Sequence, residues 1–292
     1  AKHEGLLEGR GKYILFDRDM NAEVQDRKSL EADIRLALDR DEFFLKYQPQ
    51  IHMASGRMVG AEALVRWRHP ERGMVSPGEF IPVAEQAGLV NSITEVVPAK
   101  ACAQIRLWRD TGLPDFRVLV NLSPADFKRK DIVGLITRVL DDNQLEPKTL
   151  ELEITEGMVR SDADTVISTL NELHTLGVDL AIDDFGTGFS SLSYLKQFPV
   201  DRLKIDQAFV GDVLSNVEDA SITEAIINLG HNFNLTVIAE GVETAEQLEF
   251  LRRQGCDEAQ GYYISRPLSA ENLGQFVEDF SLDALNNISN TA

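Results

Sequence analysis

An α/β fold, a single (β/α)8 barrel, is what this sequence predicts, and three observations predict it. From Phe43 onward, short β-prone runs alternate with longer segments, many of them amphipathic. The alternation recurs eight times over about 240 residues, and nearly every run carries a polar residue near its C-terminal end. The runs are 43–51, 58–67, 117–123, 150–156, 179–184, 202–206, 236–240 and 258–264. Helical patterns separate most of them, as at 161–176 and 219–233. Ahead of the first run, residues 28–42 set Leu30, Ile34, Leu36 and Leu38 among charges at helical spacing. With 292 residues and 43% hydrophobic content, the chain can bury one large core.

Charge narrows the partners. Twenty-nine basic residues against 48 acidic ones leave a formal net charge of −19. Such a surface repels DNA, RNA and anionic membranes, but a small anionic ligand is compatible with it if cations neutralise an acidic pocket. Cys102 and Cys256 form neither a CxxC pair nor a disulfide framework, which suits buried thiols in a reducing cytoplasm. No stretch approaches the ~20 apolar residues of a membrane span, and no signal peptide opens the sequence. A cytoplasmic location is expected; any membrane anchor of the full-length protein would lie in other segments.

In a barrel of this kind, chemistry gathers where strands end and loops begin. The polar residues there are Glu62, Asn121, Glu153, the pair Asp183–Asp184, Lys204, Glu240 and Gln260, on the second to eighth runs in order. Strand parity turns several of them inward: Lys204 lies between Leu203 and Ile205, and Glu153 between Leu152 and Ile154. Five acids converging on one mouth repel one another unless cations sit among them. Carboxylates and an amide oxygen suit Mg²⁺ or Mn²⁺, and no His or Cys joins the set to favour Zn²⁺. Adjacent aspartates can serve two ions, an arrangement suited to phosphoryl chemistry.

Three other barrel chemistries compete on these residues. A glycosidase would use Glu153 and Glu240 as its carboxylate pair, leaving Asp183, Asp184 and Lys204 without a task. An aldolase would need Lys204 with a depressed pKa, which surrounding carboxylates oppose. An enolase-like enzyme, with a lysine base and Mg²⁺-binding acids, fits the residue types. Strand-end chemistry alone does not exclude it.

The words around these residues are more specific. EALVR at 62–66, NLS at 121–123, ELEITE at 151–156, DDFGTGFSS at 183–191, KID at 204–206, AEGVE at 239–243 and QGYYISRP at 260–267 resemble, in order, the signature set of EAL-domain phosphodiesterases. The resemblance spans about residues 30–280. It implies a TIM-like barrel whose first strand runs antiparallel to its neighbours, and Mg²⁺- or Mn²⁺-dependent hydrolysis of cyclic di-GMP to linear pGpG. Position by position, it implies that Glu62, Asn121, Glu153 and Asp183 bind one metal, and that Asp183, Asp184 and Glu240 bind a second.

By the same resemblance Lys204 would hold the attacking water and favour its hydroxide form. Gln260 would hydrogen-bond water or an oxygen on the metal, with Glu243 as a supporting acid. Arg66 would grip a substrate phosphate, and Gln48 is a further candidate for substrate contact. Gly186 and Gly188 would let the 183–191 loop move Asp184, and Glu156 would anchor that loop. Lys204, Glu62, Glu240 and Glu156 are therefore the expected catalytic set. Ca²⁺ should inhibit, because it prefers longer bonds and more ligands. A non-catalytic cyclic di-GMP receptor on the same fold is the alternative; family members of that kind typically lack metal ligands or the loop anchor, and none of these is missing here.

Other residues are expected to play no part. His69 and His174 read as solvated, and Phe185, Tyr262 and Tyr263 as packing groups. Residues 1–27 resemble the tail of a GGDEF domain plus a linker, residues 28–285 form the barrel, and 286–292 are a terminal tail. Upstream GGDEF or sensor domains and a homodimer are the expected partners beside cyclic di-GMP.

Overall fold

The computed structural model describes residues 18–128, 131–155, 157–158, 163–186 and 195–280. Among these, nine strands form one sheet: β1 (Phe43–His52), β2 (Met58–His69), β3 (Gly73–Val75), β4 (Arg117–Asn121), β5 (Leu150–Thr155), β6 (Asp179–Phe185), β7 (Arg202–Ile205), β8 (Thr236–Ala239) and β9 (Glu258–Ala259). The sheet runs β1-β9-β8-β7-β6-β5-β4-β2-β3, and pairing of β1 with β2 closes eight of these strands into a barrel. β1 is antiparallel to both β2 and β9, whereas β2 and β4 to β9 are mutually parallel, as expected. Helices α1 (Arg18–Asp39), α2 (Pro77–Gln86), α3 (Val90–Asp110), α4 (Ile132–Asn143), α5 (Ala163–Leu176), α6 (Gln207–Gly211), α7 (Val217–Asn232), α8 (Ala245–Arg253) and α9 (Ala270–Asp279), with two short 3-10 turns at Asp126–Lys128 and Pro147–Thr149, complete the described elements.

Alternation along the strands builds the site. Leu152, Ile154, Leu203 and Ile205 are buried in the core between sheet and helices, while Glu153 and Lys204, one residue out of phase, are buried inside the barrel. The same parity puts Arg117, Leu119 and Asn121 of β4 on the inner face, with Asp179, Ala181 and Asp183 of β6. Leu119, Ala181 and Ile238 are fully buried and form an apolar layer across the interior. Glu151, Arg117 and Arg202 lie on the floor side of it, and Glu153, Asp183 and Lys204 on the mouth side.

Several expectations need correction. The helix before the barrel begins at Arg18, ten residues before the amphipathic period. Leu36 is 45% exposed, and Ala37 is buried instead alongside Leu30 and Ile34. The third run ends as a strand at Asn121, and the eighth holds only Glu258–Ala259, because the chain turns at Gly261, whose added Cβ would meet the Val242 backbone. A short hairpin strand, β3, follows β2. His69 is buried, not solvated. Its Nδ1 accepts the backbone N–H groups of Glu71 and Arg72 at 3.1 Å, and its Nε2 lies 3.4 Å from Asp33 on α1. His174, by contrast, is half exposed as expected. No helix among the described residues is long and apolar enough to cross a membrane.

Candidate active site

The antiparallel register of β1 and β2 pairs Gln48 with Glu62, and the parallel register of β4 and β5 pairs Asn121 with Glu153. These pairings bring residues remote in sequence to one end of the barrel. At the centre stands Lys204, fully buried. Its Nζ lies 2.7 Å from Glu240 Oε1, 2.8 Å from Glu153 Oε1, 3.3 Å from Asp183 Oδ1 and 4.0 Å from Glu62 Oε2. Burial disfavours its charge, but Asp183, Glu153, Glu240 and Glu62 outweigh that and hold the ammonium well above its ordinary range. A Schiff-base lysine would need the opposite shift.

Glu62 is held by amides: Asn121 Nδ2 donates to its Oε1 at 2.7 Å and Gln260 Nε2 to its Oε2 at 2.6 Å. Gln260 also donates to Gln48 Oε1 at 3.3 Å, and Gln48 donates to the Ser265 carbonyl at 3.3 Å. A cavity of roughly 330 Å³ opens above these groups, and Gln48, Glu62, Asp184, Glu240, Glu243 and Gln260 line it with Gln207 and Tyr262. Sequence reasoning passed over Gln207, and it read Tyr262 as a packing group. Tyr262 is half exposed with the Arg266 guanidinium 4.3 Å over its ring, while Phe185 is buried as expected.

One ammonium is shared among these carboxylates. Burial, followed by the neighbouring acids and opposed by Lys204, raises Glu240 to about 8. Burial also drives Glu153 well above the usual carboxylate range. Asp184 rises to about 6 through burial, the charge of Asp183, and a hydrogen bond and charge from Asp206 of the KID stretch, a residue the sequence reading left without a role. Asp184 has φ +55°, and Gly186 follows at φ +100° with Phe209 and Ile226 pressed against the place of a Cβ. The turn is therefore fixed at its base. Gly188 and Glu156 lie outside the described residues, so the proposed loop anchor does too.

The donor set fits hard divalent cations. Glu153 is fully buried with only the Lys204 ammonium, 2.8 Å from its Oε1, facing it, and the surrounding oxygen donors are carboxylate and amide groups. Among the described residues no three His, Cys, Asp or Glu side chains already stand in a metal-holding arrangement. The Lys204 ammonium stands between the carboxylates instead.

Arg66 is placed differently from the rest. Its Nη1 donates to the Val65 carbonyl at 2.8 Å, and it lines an adjoining cavity of roughly 220 Å³ with Ile81, Val90, Ile93, Asn121 and Leu122. Leu64 forms the wall shared by the two cavities. Burial lowers the Arg66 pKa, with Glu62 and Tyr262 opposing.

Known proteins resemble this chain in sequence and fold. The EAL domain family profile covers residues 31–267. The bifunctional diguanylate cyclase/cyclic di-GMP phosphodiesterase MucR of Pseudomonas aeruginosa is 45% identical over 273 residues, 94% of this chain and 40% of MucR. The cyclic di-GMP phosphodiesterase NbdA of the same organism is 38% identical over 284 residues, 97% of this chain and 36% of NbdA. The chain thus spans well under half the length of these relatives. A solved structure of the MucR phosphodiesterase in complex with cyclic di-GMP superposes with a TM-score of 0.81 at 45% identity, covering 84% of this chain and 99% of that one. The chain belongs to the EAL-domain family.

Proposed function

We propose that this chain is a metal-dependent phosphodiesterase that hydrolyses cyclic di-GMP to linear pGpG. The observation that carries the reading is the ring of Glu62, Glu153, Asp183, Asp184 and Glu240 around one buried lysine, at the mouth of an EAL-domain barrel. Glu62, Asn121, Glu153 and Asp183 would hold one Mg²⁺ or Mn²⁺, and Asp183, Asp184 and Glu240 a second. Bound there, the two ions would neutralise the acids and supply Lewis-acid activation of water and leaving oxygen.

The protein's own groups supply the rest. Lys204, kept protonated by its neighbours, would donate to the attacking water and favour its ionised form as charge develops. Gln260 donates through its amide N–H and keeps Glu62 aimed at the cavity. Gln48 and Glu243 line the same cavity and would meet the substrate. Arg66, freed from the Val65 carbonyl, would pair with a phosphate. Glu156 would steady the loop that carries Asp184. MucR is named for two activities, and this chain spans 40% of it. We place upstream GGDEF or sensor domains, a homodimer and a cytoplasmic setting within the same proposal. Incubation with cyclic di-GMP and Mg²⁺ or Mn²⁺, followed for pGpG, tests the central claim. Tight binding without product would instead favour a receptor.

A further inference from the structure

Gln50 is fully buried, yet the chemistry above gives it no task. It lies one strand period below Gln48 on β1, facing inward beneath Gln260. Arg117 Nη2 donates to Gln50 Oε1 at 3.4 Å, Gln50 Nε2 donates to Gln260 Oε1 at 2.7 Å, and Gln260 Nε2 donates to Glu62 Oε2 at 2.6 Å. An isolated amide could face either way, but the ends of this chain fix its polarity. A guanidinium only donates and a carboxylate only accepts, so reversing either amide would set donor against donor or oxygen against oxygen. Arg117 is itself pinned by Glu258 and by Glu151 at 3.0 Å. Gly60 makes room for the arrangement: a Cβ there would stand 3.0 Å from both Arg117 Cγ and Gln50 Oε1.

We propose that Gln50 is a positioning residue: it locks the Gln260 amide with its NH₂ toward Glu62 and Gln48, and so sets the aim of Glu62. The inference rests on the phosphodiesterase reading. Two variants separate polarity from packing. Gln50→Met keeps length but neither donates nor accepts. Gln50→Glu keeps the Arg117 contact but cannot donate, so it draws the Gln260 N–H toward itself and turns the Gln260 oxygen toward Glu62.

The measurements are kcat and KM for pGpG release, cyclic di-GMP affinity in EDTA, and Tm, each also in a Gln260→Met background. Expected are a drop in kcat/KM of about 10–100-fold for Gln50→Glu, the scale of outer-shell partners, and a smaller drop for Gln50→Met. The affinity in EDTA should weaken in the same order. In the Gln260→Met background, either change should cost less than about twofold, because its target is gone. Losses that follow Tm, or that persist undiminished in the Gln260→Met background, would overturn the proposal. A wild-type chain that binds cyclic di-GMP without releasing pGpG would defeat the phosphodiesterase reading alone. The order of affinities in EDTA would then still decide the role of Gln50.

Discussion

The floor and the mouth of this barrel both bury acids, but they neutralise them differently. On the floor, Glu151, Glu258 and Asp179 are met by two arginines. Arg117 reaches Glu258 and lies 3.0 Å from Glu151, while Arg202 lies 2.6 Å from Glu151 and 3.0 Å from Asp179. At the mouth, five carboxylates share Lys204. On the floor two fixed guanidinium forks stand against three acids, and burial still raises Glu151. At the mouth burial, with the neighbouring acids adding to it, raises Glu240 and Asp184, and movable cations can relieve the negative charge there. The two layers thus differ in how far fixed cations offset their acids, two guanidiniums against three on the floor and one ammonium against five at the mouth.

The sharpest break of this contrast is Glu62→Gln. It preserves size and should lower pGpG formation by on the order of 10³ or more, beyond the ~10–100-fold of an outer-shell partner. Circular dichroism should show the fold retained, with Tm lowered by only about a few degrees as one amide N–H loses its acceptor; near-normal turnover with Mg²⁺ would remove Glu62 from the metal set. Next, Lys204→Ala should cost about 10²-fold in kcat with little change in KM, as for a group whose help appears in the transition state. A raised KM at constant kcat would reassign the lysine to binding.

Replacing Mg²⁺ by Ca²⁺ should cut turnover by more than about tenfold, because Ca²⁺ takes longer bonds and more ligands. Equal rates with either ion would argue that the mouth does not hold a tight pair. On the floor, Arg202→Met should act on stability, at about 3 kcal/mol by denaturant titration, since it leaves Glu151 and Asp179 short of a partner. Its kcat should stay within a few-fold of wild type, and a collapse of kcat at full stability would erase the distinction between the two layers. The smallest effect is expected from the thiols. Burial pushes Cys102 and Cys256 up to about 12, so thiolate is scarce at neutral pH and grows only as pH nears that value. A thiol reagent at pH 7 should label neither in the folded protein and both in denaturant; rapid labelling of the native chain would show that the core opens.

How much of this was legible in the sequence differs between backbone and side chains. Strand parity around Glu153 and Lys204 and the recurrence of short runs were enough for the barrel, because alternation is a local property of each strand. Asp183, Asp184 and Glu240 were legible because they close their runs, whereas Glu62 sits in the middle of β2. Tyr262 and His69 were misread, since exposure depends on what packs above a residue. Asp33, on a helix far away in sequence, gives His69 its partner. Gln50 gave a faint signal, an inward position two residues from Gln48, but nothing local linked it to Gln260 or Arg117.

The sequence by itself determined the strand–helix alternation, the acidic strand ends and the single lysine among them, because these depend on residue type and near-neighbour spacing. Only the tertiary structure decided that Arg66 folds onto Val65 beside an apolar cavity, that Asp206 reaches Asp184, and that Arg117, Gln50, Gln260 and Glu62 form one directed chain. The longest of those contacts joins residues 210 positions apart, Gln50 and Gln260, which meet because the barrel closes. Hydrogen-bond direction then follows from the partners so assembled, which no single segment of the chain contains.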